Sequence, residues 1–217
     1  MNDFSNAFLL IYAGLFPIVN PIGGAPLFLG LTAGFSEAAR HRLARQVAIN
    51  SVLLLAGSMF VGSHLLQLFG ITLPIVRVAG GLVLISFGWK LLHSGIHVDD
   101  AHQSGSTQGS GEVDAFYPLT LPLTIGPGSI AVAIALGSQR PSAASVPELA
   151  LLGGAALAGI LAISLTVYVC YRFAEPLVAR LGRGGTNVVV RLSAFLLLCI
   201  GIQILWTGYS SLALTTR

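Results

Sequence analysis

Two short stretches of this 217-residue chain combine residue types that could hold a small charged solute: Asn20-Pro21-Ile22-Gly23-Gly24 and Thr124-Ile125-Gly126-Pro127-Gly128-Ser129. Each lies within an apolar run. Proline lacks an N–H and clashes with the preceding turn, and glycine tolerates backbone that other residues avoid. Pro21, Pro26 and Pro127, with Gly23, Gly24, Gly126 and Gly128, are therefore expected to unwind a helix locally. A half-helix starting beyond such a break aims N–H groups and its positive dipole end outward, which suits a carboxylate. Freed carbonyls and the Asn20 amide suit an ammonium or a cation, and Thr124 and Ser129 offer hydroxyls. A zwitterion matches this pair of poles.

Bond-making chemistry finds no comparable set. The five histidines (His41, His64, His93, His97, His102) and the eight acids form no nucleophile with a base and no metal-ligand cluster, as an enzyme acting on lipid would require. Cys170 and Cys199 sit in apolar runs without CxxC or Cys/His spacing, so neither a disulfide nor a zinc site is indicated, and no cofactor is expected. The spans hold no central Asp or Glu to relay protons, and His64, a lone histidine near a helix end, is a weak candidate. Asn50, Ser51, Gln67 and Gln203 read first as interhelical hydrogen-bond partners.

The elements that must carry the two stretches follow from composition. Only 9% of residues are charged and 54% are apolar, with a mean hydropathy of +0.84. A soluble domain is about 25% charged, so a water-facing surface cannot be built here. Spans of about 20 residues divide the chain into an all-α membrane domain of six helices: residues 4–33, 43–69, 73–92, 117–136, 149–173 and 187–212, the first and fourth broken at the Pro/Gly stretches. Met1-Asn2-Asp3-Phe4 lacks the basic region of a signal peptide, so the first span is expected to stay. A Gly/Ser-rich connection, 97–116, separates one repeat (4–96) from a second (117–214) within a single domain. The eleven Lys and Arg are scattered singly, a pattern of membrane orientation rather than of nucleic-acid binding. Arg40, Arg42 and Arg45 in connection one and Arg172, Arg180 and Arg183 in connection five, against Arg140 alone in connection four, make the odd connections cytoplasmic and place both termini outside.

The halves echo one another. Phe16-Pro17-Ile18-Val19-Asn20-Pro21-Ile22-Gly23 pairs with Leu121-Pro122-Leu123-Thr124-Ile125-Gly126-Pro127-Gly128, and Val76-Arg77-Val78-Ala79 with Val190-Arg191-Leu192-Ser193. Three spans separate the copies, so the second enters the membrane from the opposite side: two inverted three-helix repeats, an architecture of secondary transporters. Arg77 and Arg191 carry two readings. Each snorkels to the interface, or each binds the freed carbonyls of a broken helix and steadies a gate. Proline and glycine are also common in membrane helices for structural reasons, and a single kink would say little. Paired breaks at matching positions say more.

Asn20-Pro21-Ile22-Gly23, Arg77-Val78-Ala79-Gly80-Gly81, Pro122-Leu123-Thr124-Ile125-Gly126-Pro127-Gly128-Ser129-Ile130-Ala131 and Arg191-Leu192 together resemble the MarC family, over essentially the whole chain. That family is in turn distantly similar to LysE-type amino-acid exporters. The resemblance implies six helices in a bacterial inner membrane and transport of a small neutral amino acid of the glycine or alanine type, with a proton as coupling ion. The substrate-binding set expected is Asn20, Pro21, Ile22, Gly23, Gly24, Thr124, Ile125, Gly126, Pro127, Gly128 and Ser129, with Ile22, Ile125 and Ile130 closing a small pocket. A non-transporting scaffold or a channel-like protein remains the alternative, and a homo-oligomer is left open.

Overall fold

The computed structural model describes residues 3–94, 114–138 and 145–215; residues 97–113 of the expected flexible connection and Arg140 lie outside the described residues. The described chain is helical, with one isolated bridge, Asp114 to Pro118, outside the helices.

The first apolar run forms α1 (Asp3–Val19) and α2 (Pro21–Leu31), bent by 40° at the single residue Asn20. Asn20 adopts left-handed backbone (φ 48, ψ 58), which asparagine tolerates better than most residues because its short side chain bonds locally. Its Oδ1 accepts from the Gly23 N–H at 3.2 Å and caps α2. Pro21 sits at the start of α2, where its missing N–H removes nothing. The expected unwinding through Gly24 and Pro26 is thus corrected: the break is one residue wide, and Gly23, Gly24 and Pro26 are helical and buried.

Next come α3 (Glu37–Phe60), capped by Ser36, α4 (Gly62–Leu68), which follows it across the single residue Val61, and α5 (Leu73–Ser94). The fourth apolar run departs further from a continuous rod. Its first part, Leu119–Thr124, is a π-helical turn closed by five-residue bonds: Thr120 N–H to Ala115 O (3.0 Å), Leu121 N–H to Phe116 O (2.8 Å) and Ile125 N–H to Thr120 O (2.8 Å). Pro118 and Pro122 supply no N–H to a tighter ladder. Ile125 and Gly126 are extended, and α6 (Pro127–Gly137) begins with a proline as α2 does. Eleven residues of helix reach only about 16 Å, about half the hydrocarbon core.

Two long helices complete the chain, α7 (Val146–Arg172) and α8 (Ala174–Thr215), the latter bent at Gly182, where φ is 65°. Among the described residues four helices are long and apolar enough to cross a membrane: α3, α5, α7 and the Gly184–Ala213 part of α8. The α1–α2 pair makes a fifth if counted as one bent span.

Packing relies on absent side chains. A methyl at Gly81 would stand 2.7 Å from the Gly201 carbonyl oxygen, and one at Gly88 3.0 Å from that of Ala194, so α5 and α8 run antiparallel in near-backbone contact. Gly159 brings α7 onto Ile11 of α1, Gly62 brings α4 onto Ile134 of α6, and Gly137 brings α6 onto Met59 of α3. Gly153, by contrast, faces open space. Further contacts join α3 with α7, α5 with α6, and α2 with α7 and α8. One buried cluster, with Leu15, Phe28, Val47, Leu55, Ile163 and Tyr171, unites α1, α2, α3 and α7; a second, with Ile18, Leu84, Leu91, Val190 and Leu197, joins α1, α5 and α8. Leu53, Leu161, Leu165, Leu192 and Trp206 lie exposed on the outside, an apolar girth suited to lipid. At one end Arg40 Nη1 meets Glu175 Oε2 at 2.7 Å, so the α2–α3 connection and the start of α8 lie on the same side of the bundle.

Candidate solute site between the two broken helices

The breaks share one cavity. A space of about 70 Å3 is bounded by Asn20, Gly23, Gly24 and Leu27 at the first break, by Thr124, Gly126, Pro127, Gly128 and Ser129 at the second, and by Leu84 and Phe87 of α5 with Leu197 of α8. One water needs about 10–15 Å3 of such space, so the cavity suits a small solute and not a drug-sized one.

Glycine is required where the walls touch. At Gly23 the place of a methyl is taken by Asn20 Nδ2 and Ser193 Oγ; at Gly128 it is taken by the Leu84 side chain. Gly24 lies beneath Tyr171, whose hydroxyl would be 2.6 Å from an added methyl. Tyr171 is buried, stacks on Phe28 with centroids 4.5 Å apart, and bonds through its hydroxyl to Thr124 Oγ1 at 2.9 Å. Thr124 Oγ1 in turn donates to Leu119 O at 2.7 Å. Beside it, Thr120 Oγ1 donates to Ala115 O (2.7 Å) and accepts from Asn50 Nδ2 (3.3 Å), which ties the π-helical turn to α3.

Eight of the eleven expected binding residues line the cavity: Asn20, Gly23, Gly24, Thr124, Gly126, Pro127, Gly128 and Ser129. Pro21, Ile22 and Ile125 do not. Ile22 is exposed on the outer face of α2, Ile125 is buried in the larger cluster and Ile130 packs against that cluster, so Leu84, Phe87 and Leu197 supply the apolar wall instead. Arg77 and Arg191 are also absent from the lining; Arg77 is half-buried with its Cβ against Gly208 of α8, and Arg191 is exposed. Ser193 and Tyr171 escaped the sequence reading. Ser193 had a faint signal, two residues beyond Arg191 in the echoed segment, whereas a tyrosine at the end of an apolar run reads as an interfacial anchor.

The profile of MarC family integral membrane proteins matches residues 5–213, nearly the entire chain. The chain belongs to the MarC family. Relatives in that family include the inner membrane protein MarC of Citrobacter koseri, 30% identical over 216 residues, and that of Salmonella typhimurium, 29% identical over 216 residues, with 96% of each chain covered in both comparisons. The membrane protein YvbG of Bacillus subtilis is 28% identical over 200 residues, covering 91% of this chain and 92% of its own. No solved structure matches. Family membership and the apolar helices together make this a multi-pass protein of the lipid bilayer, and its MarC relatives are inner membrane proteins.

Proposed function

We propose that this MarC-family protein is a secondary transporter that moves a small neutral amino acid of the glycine or alanine type, or a similarly small zwitterion, by alternating access. The observation that carries the reading is the shared cavity of about 70 Å3 at which both helix breaks meet. Main-chain polarity released inside an apolar bundle costs several kcal/mol per unpaired group and persists where it serves a watered or solute-filled space. Large substrates are disfavoured by the close approach of Leu84 to Gly128 and of Ser193 to Gly23.

Six spans in two inverted repeats accompany this reading. Exchanging α1 for the π-helical turn, α2 for α6, α3 for α7, and α5 for α8 converts the α1–α7 contact into that of the π-helical turn with α3, the α2–α7 contact into α6–α3 and the α2–α8 contact into α6–α5. The α3–α7 and α5–α8 contacts map onto themselves. That exchange supports a twofold axis in the membrane plane and a rocking of one half against the other. The Arg40–Glu175 pair fits odd-numbered connections on one side, cytoplasmic by their basic residues, with both termini outside.

The test is uptake of radiolabelled glycine and alanine into proteoliposomes with and without a pH gradient. Saturable, gradient-driven accumulation is expected, with the proton as coupling ion. Non-saturable leakage would mark a channel, and absence of flux a scaffold; either outcome overturns the transporter reading.

A further inference from the structure

The hydrogen-bond directions around the cavity separate its two poles, and this deepens the transporter reading on which it rests. The two half-helices that start at the cavity are not equivalent. The α2 terminus is capped: Asn20 Oδ1 accepts from the Gly23 N–H, so one of its first-turn donors is already satisfied. The α6 terminus has Gly126 at its head and no side-chain cap. Its first-turn N–H groups, those of Gly128 and Ser129, are therefore left for another acceptor. Ser129 is only 2% exposed, lines the cavity, and among the described residues its hydroxyl has no hydrogen-bond partner. An unpartnered hydroxyl beside an uncapped, electropositive helix start is a donor set for an anion.

Thr124 has the opposite character. Its single hydroxyl proton goes to Leu119 O at 2.7 Å. The Tyr171 hydroxyl, 2.9 Å away, must then be the donor of the pair, which leaves Thr124 Oγ1 one lone pair and no proton to offer. Thr124 lines the cavity as an acceptor only. Tyr171 holds that polarity from behind while its ring is fixed by the stack on Phe28.

We propose that the solute binds with its carboxylate on the first turn of α6, against the Gly128 and Ser129 N–H groups and the Ser129 hydroxyl, and with its ammonium on Thr124 Oγ1, Tyr171 acting as the positioning residue behind Thr124.

The experiment is competition against radiolabelled glycine in proteoliposomes, with acetate and methylamine as probes of each pole alone. Ser129→Ala is expected to weaken glycine and acetate by about ten- to hundredfold, the range of a charge-assisted hydrogen bond, and to leave methylamine unchanged. Thr124→Val is expected to weaken glycine and methylamine and to spare acetate. Tyr171→Phe, which keeps the ring stack, should raise the KM for glycine with little change in kcat and no change for acetate. Wild-type uptake of glycine with both single-pole probes weakened equally by each substitution, or with the pattern reversed, overturns the assignment while leaving the transporter intact. Wild-type protein that neither binds nor moves glycine, alanine or either probe overturns both. Fluorescence-detected size exclusion separates a misfolded variant from a binding-defective one, and Ser129→Thr, which retains the hydroxyl, is expected to restore acetate competition in part.

Discussion

The α-carbon of Gly137 on α6 rests against the main-chain carbonyl of Met59 at the end of α3, with no room between them for a methyl group. Backbone cannot swing aside as a side chain can, so this contact fixes how closely the second broken segment approaches α3. Gly137→Ala is expected to destabilise the protein by about 1–3 kcal/mol, the usual cost of overpacking. Gly57→Ala, two residues from that contact but facing open space, should be neutral or stabilising by about 0.5–1 kcal/mol. Thermal unfolding of both variants in detergent checks the pair; equal shifts would contradict the close crossing.

Gly128 and Leu84 make a softer contact, since the Leu84 side chain occupies the place of the missing methyl. Gly128→Ala is expected to lower glycine uptake at least tenfold. Adding Leu84→Ala should recover most of it, because the obstacle is a side chain that can be removed. Transport by the single and double variants decides the matter, and an uptake defect that persists in the double variant would place the fault elsewhere.

Asn20 combines left-handed backbone with a cap on α2. Asn20→Ala loses both and should cost about 2 kcal/mol, whereas Asn20→Gly keeps the backbone freedom and should cost less than about 1 kcal/mol. Unfolding midpoints in the order wild type, Gly, Ala are expected; Ala at or above Gly would mean that the break does not depend on positive φ.

Arg40 and Glu175 meet at 2.7 Å with the Glu175 side chain 67% exposed. Solvent screening limits such a pair to about 0–1 kcal/mol, which a double-mutant cycle should return. Its topological content is greater. In a chain with Cys170 and Cys199 replaced by serine, cysteines at positions 40 and 175 should crosslink in membranes and label from the same face as each other, while one at Ile71, in the α4–α5 connection, labels from the opposite face.

Composition and proline/glycine spacing by themselves determine the broad outline of this protein. With 9% charged residues no aqueous fold was available, and every backbone polar group had to be satisfied within helices, which gave the all-α class and the approximate positions of α3, α5, α7 and α8. Asn20-Pro21 and Gly126-Pro127 marked the two breaks because Pro is tolerated at the start of a helix and disruptive within one. The width of each break was decided by tertiary structure: Asn20 could cap α2 at once, while Pro118 and Pro122 forced wider turns that end in the short α6. The cavity wall was likewise invisible in one dimension. Leu84, Phe87 and Leu197 are ordinary members of apolar runs, and Ile22 and Ile125 sit inside the motifs yet turn away, because a helix break fixes main-chain polarity whereas helix rotation chooses which side chains face it. Tyr171 came into the site only through its stack on Phe28 and its bond to Thr124, a contact spanning 47 residues of sequence that no local pattern encodes.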